Sequence, residues 1–381
     1  MLGVITSMMA SRLWLEKERN VRSVRVGLVG AGGIGNYHAR TYEPIEGIEI
    51  VAVCDIVRKK ALQFAEKWGV PKKNVFTSYN KMLEMDEIDT VSVCTYNQAH
   101  RRPTVAALRA GKHVLCEKPM AATLADATAM ARAAKESGKI LHIAIHSRFQ
   151  PGVVMARKIV EAGILGDIYY TETSGCRRRG TPGGTFIHKK TAGAGAIVDI
   201  GVYNMHDAMF ILGYPEPVRV SAFTCDYIAR TMPELKSMDV EEFGVAWVRF
   251  EDGSIMVFKI SWAVHANTLG GNYFLGKKAG MSLSGAEVYA DKYPRELRKL
   301  AKSEGCTLKV EEVRNMVNVR IEGLKPVDVW PTQVKAFLDA VRKGGPSPID
   351  PEKVLLTNVI MDGIFRSAEC GKEVSVRVPD V

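Results

Sequence analysis

Gly30-Ala-Gly32-Gly33-Ile34-Gly35 constrains this chain more than any other stretch, because the apolar run Val24 to Val29 leads straight into it and a helical pattern continues to about Tyr42. Strand, G-x-G-x-x-G and helix in that order open a βαβ unit. The first glycine turns the chain, the second lets backbone approach a pyrophosphate, and the third lets helix pack on strand. The helix N-terminus then faces the negative charge. A second apolar run, Ile48 to Cys54, ends in Asp55, where a carboxylate would hold the adenine ribose hydroxyls and repel a 2′-phosphate. That favours NAD, while Arg58 and Lys59 leave NADP open. Asp55 has a plainer alternative as N-cap of the helix that follows, Val57 to Trp68.

The alternation continues through strands at 89–95, 113–116 and 140–145 and helices at 99–110 and 124–137. It predicts a doubly wound parallel Rossmann sheet over residues 24–148. Ligands of such sheets lie at the carboxyl ends of the strands, which selects Thr95, Asn97, His100, Glu117, Lys118 and the segment His146-Ser147-Arg148. Lys118 lies one residue past a buried strand and directly before Pro119, a placement that would set its ammonium beside a nicotinamide; the plain alternative is a surface lysine. Asn97 and His100 read as crevice lining, with helix capping the other reading of Asn97.

From about residue 149 to 345 the pattern changes to period two, with runs at 168–176, 218–227, 242–250 and 254–264, the last two joined by Glu251-Asp252-Gly253. This predicts an α+β domain whose mostly antiparallel sheet is covered on one face by helices. Its open face, with Phe243, Trp247 and Trp262, predicts a homodimer or homotetramer. Residues 346–381 read as a helix and tail packed back on the first domain. Between them, Gly193 to Asp207 reads as part of one helix reaching Leu212, on which Asp199, Tyr203 and His206 fall within roughly 60° of one another at about 100° per residue. Arg177 and Arg179, with Arg148 and Lys189, are candidate substrate contacts for sugar oxygens or a carboxylate; a solvated charge run is the alternative for the arginine loop.

The glycine turn, Asp55, Glu117-Lys118-Pro119 and the Gly193-x-Gly195-x-x-x-Asp199 helix together resemble the Gfo/Idh/MocA family of nicotinamide-dependent oxidoreductases over roughly residues 24–375. The resemblance implies that Lys118 and Asp199 line the catalytic site and that the residue four after the aspartate is the acid/base. That residue is usually histidine; here it is Tyr203, as in some members, and His206 stands three further on. A nearby Lys118 would favour the phenolate and lower the tyrosine pKa, whereas His206 titrates near 6.5 unaided. Tyr203 is the favoured base, with His206 orienting a hydroxyl. The implied reaction is hydride transfer between NAD and a secondary alcohol or ketone of a sugar, cyclitol or sugar derivative. NAD-dependent glycoside cleavage by oxidation, elimination and reduction is the alternative, and a non-catalytic sensor a more distant one.

Composition excludes other classes. The net charge of +10 is scattered, its densest run being Arg177 to Arg179, so no nucleic-acid surface is indicated. No apolar run approaches the roughly 18 residues of a membrane helix. The seven cysteines form no C-x-x-C pair and no metal cluster, and suit a reducing compartment. Residues 1–23 have no basic n-region before their apolar part and neither an A-x-A cleavage site nor a twin arginine after it, and read as an extension of a cytoplasmic protein.

Overall fold

The computed structural model describes residues 23–267 and 269–381; the extension expected over residues 1–23 lies, apart from Ser23, outside them. Six parallel strands, β1 (Val24–Val29), β2 (Ile48–Cys54), β3 (Val75–Phe76), β4 (Thr90–Val93), β5 (His113–Cys116) and β6 (Leu141–Ile143), run in the order β3-β2-β1-β4-β5-β6. Helices α1 (Gly33–Tyr42), α2 (Arg58–Trp68), α3 (Tyr79–Leu83), α4 (Arg101–Arg109) and α5 (Leu124–Ser137) alternate with them. Both sheet faces are covered, which is why the strands read as unbroken apolar runs: Val26, Leu28, Val91 and Leu115 are wholly buried. Strand order reverses between β1 and β4, and the crevice opens there. β4 and β6 stop short of their expected ends, so Thr95 and His146 belong to the loops over that crevice. The short β3 and α3 carry too few residues to show a periodicity.

The chain then forms α6 (Pro151–Glu161), β7 (Ile168–Cys176), α7 (Lys189–Ala192), α8 (Ala196–Asp199), α9 (Gly201–Leu212), β8 (Pro217–Cys225), β9 (Phe243–Phe250), β10 (Ile255–Ser261), β11 (Tyr273–Gly276), β12 (Ala279–Ser282), β13 (Glu287–Ala290), α10 (Arg295–Ser303), β14 (Thr307–Val313), β15 (Met316–Glu322), α11 (Val329–Lys343), α12 (Pro351–Cys370) and β16 (Val374–Ser375). The ten strands order as β14-β15-β13-β12-β11-β7-β10-β9-β8-β16. All pairs are antiparallel except β7 with β10, so these two strands end together, Cys176 opposite Ser261. Ala246, Val248 and Phe250 of β9 turn inward under the helices, while Trp247 and Arg249 face out.

Two expectations are corrected. The single helix expected across Asp199 is broken at Ile200 (φ −106°, ψ −29°) into α8 and α9, so a constant angular step does not relate Asp199 to Tyr203 and His206. Trp262, expected on the open sheet face, is wholly buried: it lies one residue past the end of β10, where the alternation no longer applies.

The C-terminal helices tie the two sheets together. Val334, Phe337 and Leu338 of α11 pack on Val24, Val26 and Leu115 of the first sheet, although α11 lies before residue 346. Along α12, Val354 and Leu355 join the first-domain core, while Val359, Ile360 and Ile364 join the second. β16 then adds to the second sheet, and the last carbonyls accept from Arg132 and Lys135 of α5.

Candidate active site

The glycine turn has the geometry a dinucleotide needs. Gly30 (φ +102°) sits so close to β4 that a Cβ there would meet Cys94 O at 2.5 Å, and one on Gly35 would meet Gly30 O at 2.1 Å. At Gly32 and Gly33 a Cβ would meet nothing within 4 Å. The open space lies where backbone must approach a pyrophosphate, at the N-terminus of α1, which has no side-chain cap. Ile34 packs toward the core beside α2. Asp55 accepts from Ala31 N (2.9 Å) and Val57 N (2.8 Å), joining the end of β2 to the glycine turn. It is half-buried, and the N-cap of α2 is Val57. Beside Gly30, the Thr95 hydroxyl is buried with no partner, a polar atom available to a bound cofactor.

Across the crevice, β5 delivers Lys118, whose bond to Pro119 is cis. Its ammonium donates to Asp199 Oδ1 at 2.9 Å and Asp199 O at 2.8 Å, and lies 5.1 Å from the Tyr203 ring centre. The other carboxylate oxygen of Asp199 accepts from Trp262 Nε1 at 3.1 Å. Residues 81 positions apart thus converge on one point, Lys118 from the Rossmann sheet and Asp199 and Tyr203 from the helices beneath the second sheet. Behind Lys118, buried Glu117 bonds to His38 Nε2 at 2.7 Å. Burial opposes its charge, but the His38 bond and the nearby charges of His38 and Lys118 prevail and hold its carboxyl below the usual range.

Residues 24–145 match the Gfo/Idh/MocA model described as an oxidoreductase family with an NAD-binding Rossmann fold, and residues 153–282 match the family's C-terminal domain. D-glucoside 3-dehydrogenase of Escherichia coli (strain K12) is 32% identical over 367 residues, 93% of this chain and 97% of that protein. The chain belongs to the Gfo/Idh/MocA family. Inositol 2-dehydrogenase of Salmonella typhimurium is 34% identical over 146 residues, 38% of this chain and 43% of that protein. The crystal structure of aldose-aldose oxidoreductase from Caulobacter crescentus, complexed with glycerol, superimposes with a TM-score of 0.73 at 25% identity, covering 93% of this chain and all of that one. As a Gfo/Idh/MocA oxidoreductase the chain is an enzyme with an NAD-binding Rossmann domain.

Within this Gfo/Idh/MocA site, the surroundings of Tyr203 act against the expected phenolate. Burial first, then the charges of Glu117, Asp199 and Asp207, hold the phenol above the ordinary tyrosine range, while Lys118 is committed to Asp199. His206 is not brought to Lys118. It is wholly buried, 3.4 Å from Tyr214 Oη, and burial, Arg148 and His142 push its imidazole down to about 3. His100 is sealed as well, its two ring nitrogens 2.8 Å from Pro119 O and 3.2 Å from Thr95 O. A neutral imidazole donates only one of those bonds, so His100 braces the loops around Lys118. Asn97 donates to Ala192 O and ties the same loops to α7. Arg148 turns away, its guanidinium 3.1 Å over Phe210. Arg177, Arg179 and Lys189 are exposed; Arg177 O accepts from Val264 N at the strand end that also delivers Trp262.

Trp262, His38 and Trp330 are not anticipated in the site by the sequence, and His146 only as part of the segment after the last Rossmann strand. Trp330 of α11 meets His38 edge-on (centres 5.5 Å apart) and lies against His146 (5.2 Å), and His146 lies 4.7 Å from Tyr203. Only His146 had a local signal, its place just past a Rossmann strand. The tryptophans reach the site from distant segments that carry no motif.

Proposed function

We propose that this oxidoreductase transfers a hydride between NAD and a secondary alcohol or ketone carbon of a sugar, cyclitol or sugar derivative. The observation that carries the reading is the Lys118 ammonium, fixed by Asp199 beside the Tyr203 ring at the mouth of the Rossmann crevice. The nicotinamide supplies the hydride chemistry when bound. Lys118 keeps an uncommitted N–H for the reacting oxygen, and Tyr203 hydrogen-bonds the same oxygen from the helix side, so charge that develops there meets a fixed cation. Asp199 holds Lys118 in register with the help of Trp262. Arg177, Arg179 and Lys189 contact the outer hydroxyls, and Asp55 favours NAD over NADP. The full-length relative named for a D-glucoside and the partial relative named for inositol support the substrate class.

We also take the enzyme to be a homodimer or homotetramer paired through its open sheet face, and to work in a reducing, cytoplasmic compartment, as its seven free thiols suit. Among the described residues no helix is long and apolar enough to cross a membrane.

The test is a panel of glucosides, aldoses, anhydrosugars and inositols assayed for reduced cofactor with NAD and NADP separately. Stoichiometric NADH with a keto product is expected. Glycoside cleavage without net NADH would move the reading to oxidation, elimination and reduction. Lys118→Ala and Tyr203→Phe are each expected to lower turnover by roughly 10²-fold or more while NADH binding, followed by fluorescence, persists. Near wild-type rates in both variants would refute the assignment.

A further inference from the structure

We propose that His146 takes up, through Tyr203, the proton released by the substrate hydroxyl; this rests on the reaction just described and adds the proton's destination. His146 stands on the loop after β6 with its ring between Tyr203 (centres 4.7 Å apart, planes at 47°) and Trp330 (5.2 Å, 32°). Its Nδ1 is buried with no hydrogen-bond partner.

The groups around Tyr203 leave few other acceptors. Glu117 is bonded to His38, Asp199 holds Lys118 and Trp262, Asp207 accepts from Ser147, and His206 faces Tyr214. Tyr203 itself is held as a neutral phenol, so it passes a proton on more readily than it keeps a negative charge. The charged groups facing His146 are Glu117, which favours its protonation, and Lys118, which opposes it; burial is the largest influence and leaves the imidazole below its ordinary 6.5, neutral at pH 7.

The step balances. The carbinol carbon loses its hydride to the oxidised nicotinamide. The hydroxyl proton moves to Tyr203 Oη as the phenolic proton passes to His146 through one intervening water, since the two rings pack together without a hydrogen bond between them. The alcohol becomes a ketone, Tyr203 is again a neutral phenol, and His146 has become imidazolium. Reduction reverses each transfer. His146 is a positioning and relay residue, acting on the substrate only through Tyr203.

The experiment uses the full chain with NAD and either methyl β-D-glucoside or myo-inositol. For the wild type, oxidation should rise with pH through a limb below 6.5 and then level, because His146 must be neutral to accept. His146→Gln should fall by about 10²-fold at neutral pH and keep climbing with pH as hydroxide replaces the lost acceptor, and added imidazole should restore rate to His146→Gly. NMR titration of the imidazole without cofactor should show a His146 midpoint that moves in Tyr203→Phe. An equal loss at every pH, no rescue, and a midpoint indifferent to Tyr203→Phe would overturn the relay. If the wild type binds NADH but oxidises neither sugar, the substrate reading fails by itself, and the NMR shift alone decides the relay.

Discussion

At Asp207, only 8% exposed, burial and bonding pull in opposite directions. Desolvation lifts its carboxyl to about 7, against the hydrogen bond from Ser147 and the charge of Arg148. The native protein therefore holds a proton there that the unfolded chain releases near 4, so this contribution to stability is present at acid pH and is lost as pH rises from about 4 to 7. Asp207→Asn keeps an acceptor for Ser147 and cannot ionise. Urea midpoints of both proteins across that range should give a difference curve favouring the variant increasingly toward pH 7, by on the order of 2–4 kcal/mol. A flat difference would place the proton elsewhere.

Among the elements, α8 is the most tightly specified. A Cβ on Gly195 would stand 1.8 Å from Glu241 O, while the Glu241 carboxylate accepts from Gly195 N and Ile197 N, so the segment leading into β9 clamps the N-terminus of the turn that carries Asp199. Gly195→Ala should lose about 3 kcal/mol or more of stability and, with it, most activity. Gly32→Ala makes the opposite test, because its Cβ meets only open space. It should unfold like the wild type yet weaken NADH tenfold or more, about 1.4 kcal/mol, when binding is followed by fluorescence titration. Unchanged NADH affinity would remove the pyrophosphate from that cradle. The break between α8 and α9 also explains why helical spacing grouped His206 with Asp199: the angular rule holds only while the helix is continuous.

For the whole molecule, the outer face of the second sheet carries exposed aromatic side chains. Phe223, Trp247 and Tyr273 are 47%, 41% and 41% exposed, and the register sets Trp247 beside Val257, Val257 beside Glu172 and Glu172 beside Tyr273 in one row across the strands. Trp247→Glu combined with Phe223→Glu should convert the assembly to monomers on light scattering without changing the thermal unfolding of the subunit. Wild-type protein that is already monomeric would refute pairing through this face. By itself the chain determined the Rossmann half and the period-two half, because glycine turns and strand periods are local consequences of backbone sterics and burial, while it is the resemblance to the family that groups Lys118, Asp199 and Tyr203 as one site. Only the tertiary structure decided that Trp262 braces Asp199, that α11 brings Trp330 over His146, that His206 is sealed away, and that Tyr203 stays protonated. Those facts depend on which distant segments share a low-dielectric pocket, and neither desolvation nor a contact across 63 residues leaves a mark in local spacing.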